Sequence, residues 1–262
     1  MISLKKNEIE LANEVMSKIS LTKDKENLEN HVVNLSKCIV NLSKKANVDI
    51  GNTKAKVITV LDYSGSMEWL YASGTIQNTI NRLVPLGLTF DDNGALDVYL
   101  FQNDYRKMKD ITLSNYKDYV EKVINKSGYY MGGTNYAPVL EAIINNQSAN
   151  NTGLFGKLFK SKKDTSPQSD ITFVLFITDG DNSDKYDTNK IIVESAKPEK
   201  RTFVQFIGIG GAEFNYLEEL DNLEGRALDN TGFSKMVDLE MASDIELYNN
   251  ILEQFAEWLK LI

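Results

Sequence analysis

The run Phe173-Val174-Leu175-Phe176-Ile177 is the longest uninterrupted apolar stretch in the chain. A strand made of it is apolar on both faces, and only a strand covered on both sides tolerates that. Such strands belong to parallel sheets sandwiched between helices. Val57-Ile58-Thr59-Val60-Leu61 is built the same way, with β-branched residues suited to a buried, pleated surface. Two further strand-like runs lie at 96–101 and 202–209, and segments of helical period separate them at 73–90, 115–124, 137–145 and 187–196. Pro85 is expected to kink or end the first of these helices. A short edge strand is expected at 109–113, a last strand at 234–239 and a closing amphipathic helix at 243–261. This alternation predicts an α/β fold, a doubly wound, mostly parallel sheet flanked by helices.

The first fifty residues read differently. Ile9, Ala12, Val15, Met16 and Ile19 recur at helical spacing, and Leu28, Val32, Leu35, Ile39 and Leu42 do so again. The expectation is an N-terminal helical extension over 1–50, a hairpin packed on the α/β domain of 51–262. Within that domain, 147–170 is rich in Asn, Ser, Lys and Gly and reads as a loop insertion. Its stretch 154–160, Leu-Phe-Gly-Lys-Leu-Phe-Lys, is apolar on one side and basic on the other. Such residues ordinarily pack back on the domain; otherwise they touch a partner or a membrane surface.

Composition removes several functions. Lys plus Arg total 29 against 37 for Asp plus Glu, a net charge of −8, so bulk neutralisation of nucleic-acid phosphates is not expected. One cysteine, Cys38, excludes an intrachain disulfide and a cysteine zinc cluster, and one histidine, His31, excludes a multi-histidine metal site. No segment approaches the roughly 20 apolar residues that cross a bilayer. Lys5 and Lys6 are followed by Glu8 and Glu10 rather than by an apolar core, so no secretory signal is read and a cytoplasmic location is expected.

Ligands gather at the carboxyl ends of the strands in open parallel sheets. The first strand ends in Asp62-Tyr63-Ser64-Gly65-Ser66, Gly132-Gly133-Thr134-Asn135 precedes a helix, and another strand ends in Thr178-Asp179-Gly180-Asp181. These segments bring the carboxylates of Asp62 and Asp179 and the hydroxyls of Ser64, Ser66 and Thr134 to one sheet edge. Oxygen donors without imidazole or thiolate suit Mg²⁺, Mn²⁺ or Ca²⁺ rather than zinc. Gly65, Gly132, Gly133 and Gly180 would let the backbone bend around an ion. Alone, Asp62-x-Ser64 is an ordinary helix cap; the weight lies in three segments matching one pattern in order.

That pattern, Asp62-x-Ser64-x-Ser66, then Thr134, then Asp179, resembles the metal-ion-dependent adhesion site (MIDAS) of von Willebrand factor A (vWA) domains. The likeness runs from about residue 56 to 262. Leu61 to Met67, Gly132 to Pro138, Gln205 to Gly211 and Asp229-Asn230-Thr231-Gly232-Phe233 are similar to the A domains of bacterial tellurium-resistance proteins, and 40–49 resembles the lead-in those proteins carry. The resemblance implies a Rossmann-like vWA fold and a Mg²⁺ ion, or Mn²⁺ or Ca²⁺, held by the hydroxyls of Ser64, Ser66 and Thr134. Asp62 and Asp179 would act directly or through water. It also implies a coordination position left open for an acidic side chain of a protein partner, and a role in tellurium resistance or stress response.

An enzyme is the competing class. A phosphate-ester hydrolase using Asp62 and a divalent metal would want a second aspartate where Ser64 stands. Ser64 also lacks the Gly-x-Ser-x-Gly setting of a hydrolase nucleophile. A histidine triad would require His31, on the N-terminal helix, to reach the site, whereas a helix-face histidine is ordinarily structural; Gly208-Ile209-Gly210-Gly211 lacks dinucleotide-fingerprint spacing. The sequence therefore points to a non-enzymatic binding module.

Overall fold

The two-sided apolar runs form the centre of a six-stranded sheet. A computed structural model describes residues 6–19, 25–151 and 171–262. Its strands are β1 (Lys56–Asp62), β2 (Asp97–Phe101), β3 (Tyr105–Lys107), β4 (Thr172–Thr178), β5 (Thr202–Ile209) and β6 (Thr231–Met236), in the order β3-β2-β1-β4-β5-β6. Every neighbouring pair is parallel except β2 with β3. The helices are α1 (Glu8–Ile19), α2 (Lys25–Ala46), α3 (Glu68–Ala72), α4 (Thr75–Phe90), α5 (Ala137–Asn151), α6 (Lys185–Ser195), α7 (Asn215–Asp221) and α8 (Asp244–Trp258). The expected doubly wound α/β architecture is present.

Alternation along the strands divides the core in two. Val57, Leu61, Phe173, Leu175, Phe203 and Ile207 face a cluster built with α1, α2, α4 and α8. Ile58, Val60, Val174, Phe176, Val204 and Phe206 face the cluster of α5, α6 and α7. The N-terminal hairpin is thus part of the main core: Leu11, Val15, Val32, Leu35 and Ile39 are buried in the same cluster as Phe173 and Phe255.

Four local expectations change. The edge strand is β3, while Ile111 makes only an isolated bridge to Leu96. Tyr105, Arg106 and Lys107 are all exposed, so the strand carries no apolar alternation to read. Pro85 does not end α4, because buried neighbours on both sides hold the helix together to Phe90 and Thr89 Oγ1 donates to the Pro85 carbonyl at 2.7 Å. Residues 116–124 form a 3₁₀ turn and a π turn, with Val120 N–H donating to Gln77 Oε1 at 2.9 Å. Finally, α5 continues to Asn151, into the expected insertion; 152–170, including 154–160, lies outside the described residues.

A half-buried polar knot ties the hairpin to the last helix. Asp244, the first residue of α8, lies 2.7 Å from His31 Nδ1 and accepts from Asn34 Nδ2 at 3.2 Å and Arg82 Nε at 2.8 Å. Arg82 also donates to the carbonyls of Leu239 and Ala242, and the Tyr248 hydroxyl donates to the Arg82 carbonyl. Burial opposes ionisation of Asp244, but the bond to His31, the Asn34 amide and the Arg82 charge outweigh it and hold its pKa down to about 2. A depressed carboxylate pKa contributes stability above the ordinary value, and that stability is lost as pH falls toward the folded pKa. Asp244→Asn is therefore expected to lower unfolding free energy by on the order of 1–2 kcal/mol in urea titrations at neutral pH. The gap from wild type should close between about pH 4 and pH 2.

Candidate metal centre

The chain leaves β1 toward β2 on one side and later returns to β4 on the other, so a crevice opens at the carboxyl ends of β1 and β4. Asp62 closes β1 and Asp179 directly follows β4. The Asp62 side chain is wholly buried: Oδ1 accepts from Ser64 N–H at 2.7 Å and Oδ2 from Thr178 Oγ1 at 2.6 Å. The Ser64 and Ser66 hydroxyls lie 3.1 Å apart, and Ser66 Oγ donates to Asp179 Oδ1 at 2.8 Å. Hydrogen bonds thus run unbroken from Asp62 through Ser64 and Ser66 to Asp179.

Thr134 reaches the same edge through its backbone. Gly65 N–H donates to the Gly132 carbonyl at 3.0 Å, Gly132 N–H to the Tyr63 carbonyl at 3.3 Å, and Ser183 N–H to the Thr134 carbonyl at 2.9 Å. The 132–135 segment is thereby tied to both carboxylate-bearing loops. The Thr134 hydroxyl makes no hydrogen bond to the other four donors. Two of the four glycines also make close approaches. A Cβ on Gly132 would stand 2.1 Å from Gln102 Oε1, and one on Gly133 2.3 Å from Asn103 Oδ1, so they let this segment close against the loop after β2.

Several supporting residues escape a sequence reading. Thr178 holds Asp62 from inside an apolar strand. The Tyr136 hydroxyl donates to Thr178 Oγ1 at 3.2 Å and to the Gly180 carbonyl, and the Tyr71 hydroxyl to the Asp62 carbonyl at 2.8 Å. Asp184 caps α5 from a different loop, accepting from Tyr136 N–H at 3.0 Å and Ala137 N–H at 2.8 Å. The one available signal was Thr178 itself, a hydroxyl next to Asp179 at the end of a wholly buried strand.

The electrostatics favour a cation. Burial pushes the Asp62 pKa up to about 6 against the bonds from Ser64 and Thr178, with Asp179 adding repulsion, and burial also raises Asp179. The loops at this edge, 63–74, 102–104, 128–136, 179–184, 210–214 and 237–243, carry the carboxylates of Glu68, Asp104, Asp179, Asp181, Asp184, Glu213, Asp238 and Glu240 and no Lys or Arg. No cluster of three or more His, Cys, Asp or Glu suited to a metal occurs among the described residues. The oxygen atoms at this edge, the carboxylates of Asp62 and Asp179 and the hydroxyls of Ser64, Ser66 and Thr134, are hard donors of the type that suits a hard divalent ion.

A family model described as the vWA found in the TerF C terminus, vWA-TerF-like, matches residues 54–262. The chain belongs to that family. This vWA domain is 35% identical over 208 residues to the uncharacterized protein YcbR of Bacillus subtilis strain 168, covering 79% of this chain and 78% of that one. Similar solved structures include the ArnB paralog VWA2 of Sulfolobus acidocaldarius, with 17% identity and a TM-score of 0.45 over 77% of this chain and 46% of that one. Proximal thread matrix protein 1 from the mussel byssus, with a zinc-occupied MIDAS motif, gives 14% and 0.45 over 78% and 47%. Manganese-loaded TRAP protein of Plasmodium vivax gives 17% and 0.42 over 75% of each chain. The vWA domain thus spans less than half the length of the first two of these structures.

The raised Asp62 pKa has a measurable consequence. In cation-free solution the charged form is penalised, so the cost is absent below the ordinary carboxylate pKa and complete above about pH 6. Asp62→Asn is expected to raise the unfolding free energy by about 1–3 kcal/mol at pH 7.5 in chelator. The gain should shrink steadily as pH is lowered from about 6 to about 4.

Proposed function

We propose that this vWA domain is a non-enzymatic binding module in which Asp62, Ser64, Ser66, Thr134 and Asp179 hold a divalent cation. Mg²⁺ is the first choice, with Mn²⁺ or Ca²⁺ as substitutes, and a protein partner completes the coordination with an acidic side chain. The observation that carries this reading is the hydrogen-bonded run from Asp62 to Asp179 at the switch point, in an acidic crevice. An ion there would relieve the buried Asp62 charge and, held largely by neutral hydroxyls, would keep enough positive charge to attract one more anion. Membership in the vWA-TerF-like family is the ground for proposing a role in tellurium resistance or stress response.

The setting of Asp62 supports binding over turnover. A phosphate-ester hydrolase attacking through Asp62 needs that carboxylate open to its substrate, whereas Asp62 is wholly buried with both oxygens engaged and would act on the ion through water. No helix among the described residues is long and apolar enough to cross a membrane.

Mg²⁺ is expected to raise the melting temperature of the wild type in a concentration-dependent way, as any native-state ligand does. The rise should be absent in Asp62→Ala and Asp179→Ala. Capture of partner proteins from native cells should require the ion and fall at least about thirtyfold in Thr134→Ala and Asp179→Ala. Equal capture by wild type, variants and chelated protein would move the binding surface elsewhere. Phosphate-ester hydrolysis lost in Asp62→Asn would establish an enzyme instead.

A further inference from the structure

The exposed large apolar side chains are not scattered. Among the described residues there are nine: Ile9, Ile245 and Leu261 lie elsewhere, and the other six, Trp69, Tyr105, Tyr130, Tyr186, Val237 and Met241, stand at the carboxyl edge of the sheet. Three of them sit on the segments that carry the oxygen donors. Trp69, 61% exposed, follows the Asp62–Ser66 loop and is turned outward because its neighbours Leu70 and Tyr71 are buried. Tyr130, 81% exposed, precedes Gly132, while the adjacent Tyr129 stacks on Tyr63 at 5.9 Å. Tyr186, 82% exposed, opens α6 just beyond the Asp179 loop. Their common placement on the donor-bearing side of the sheet makes them candidates for a contact surface.

The charge at this edge narrows the occupant. The carboxylates of the edge loops outnumber the basic groups beside them, Arg106, Lys185 and Lys235. Arg106 donates to the Ser127 carbonyl, Lys185 pairs with Asp181, and Lys235 donates to the Ala212 carbonyl. A uniformly acidic partner would meet net repulsion away from the ion, and a uniformly basic one would have nothing to give the ion. An anionic membrane would be repelled by the same rim.

We infer that the occupant is a protein segment with a single Asp or Glu set between aromatic or aliphatic side chains and flanked by Lys or Arg. The carboxylate would go to the ion, the apolar neighbours to Trp69, Tyr130 and Tyr186, and the basic flanks to the outer carboxylates. This inference rests on the cation reading above and adds the rim that selects the partner.

Selection of a random displayed-peptide library on the immobilised full chain, with Mg²⁺ and in parallel with EDTA, tests it. Mg²⁺-dependent peptides are expected to share an acidic residue with apolar neighbours and basic flanks. A synthetic peptide of that pattern should lose about tenfold in affinity with each of Trp69→Ala, Tyr130→Ala and Tyr186→Ala. The Mg²⁺-induced rise in melting temperature should be unchanged in these surface variants. Mg²⁺-dependent acidic peptides without such flanks, or variants that bind as wild type does, would overturn the rim and leave the cation reading intact. Recovery equal in EDTA, or no recovery at all, would overturn both. Phosphatidylglycerol vesicle binding lost in the three variants, with peptide binding unaffected, would assign the rim to a membrane and overturn the inference.

Discussion

A carboxylate with no access to water stands at the end of the central strand, and much of the sheet edge is organised around it. Burying the Asp62 charge without compensation is costly, and the surroundings answer with donors from several directions: Ser64 from its own loop, Thr178 from β4 and, on its backbone carbonyl, Tyr71 from α3. Thr178 is in turn bonded to Tyr136, which opens α5 under the cap supplied by Asp184. Three loops separated widely in sequence are therefore positioned by a single electrostatic need. Hydrogen bonds meet that need only in part, since the Asp62 pKa still stands near 6.

The site also rests on a stiff foundation. Tyr136 lies edge-on to Phe101 at 5.6 Å and to Phe176 at 4.7 Å, and it stacks with Phe206 at 6.3 Å. Its hydroxyl is the polar tip of an aromatic block that fills the α5 side of the sheet. A packing defect in that block would reach Thr178 and the Gly180 carbonyl through the ring, so core and site are not separable here.

What could be read from sequence follows from where the physics is local. The two-sided apolar runs announce β1, β4 and β5 because a buried parallel strand admits few other compositions. Asp62, Ser64, Ser66, Thr134 and Asp179 could be picked out because each follows a recognisable strand or precedes a recognisable helix. β3 could not, since Tyr105–Lys107 pairs with β2 through a tight turn and exposes every side chain. Pro85 does not end α4, because its cost is local whereas the packing that offsets it comes from the sheet and neighbouring helices. Asp184 was silent because it caps a helix far from it in sequence, a relation that only tertiary structure creates.

The knot around Asp244 has a bearing on biosynthesis. Its partners His31 and Asp244 are 213 residues apart, and the apolar face of α2 is completed by α8 in the shared core. During synthesis α2 leaves the ribosome long before α8, so Leu28, Val32, Leu35 and Ile39 wait for their cover while the sheet is still being made. Apolar surface exposed for that interval invites aggregation or chaperone binding. A chain interrupted before Asp244 would lack both the cover for α2 and the partner of His31.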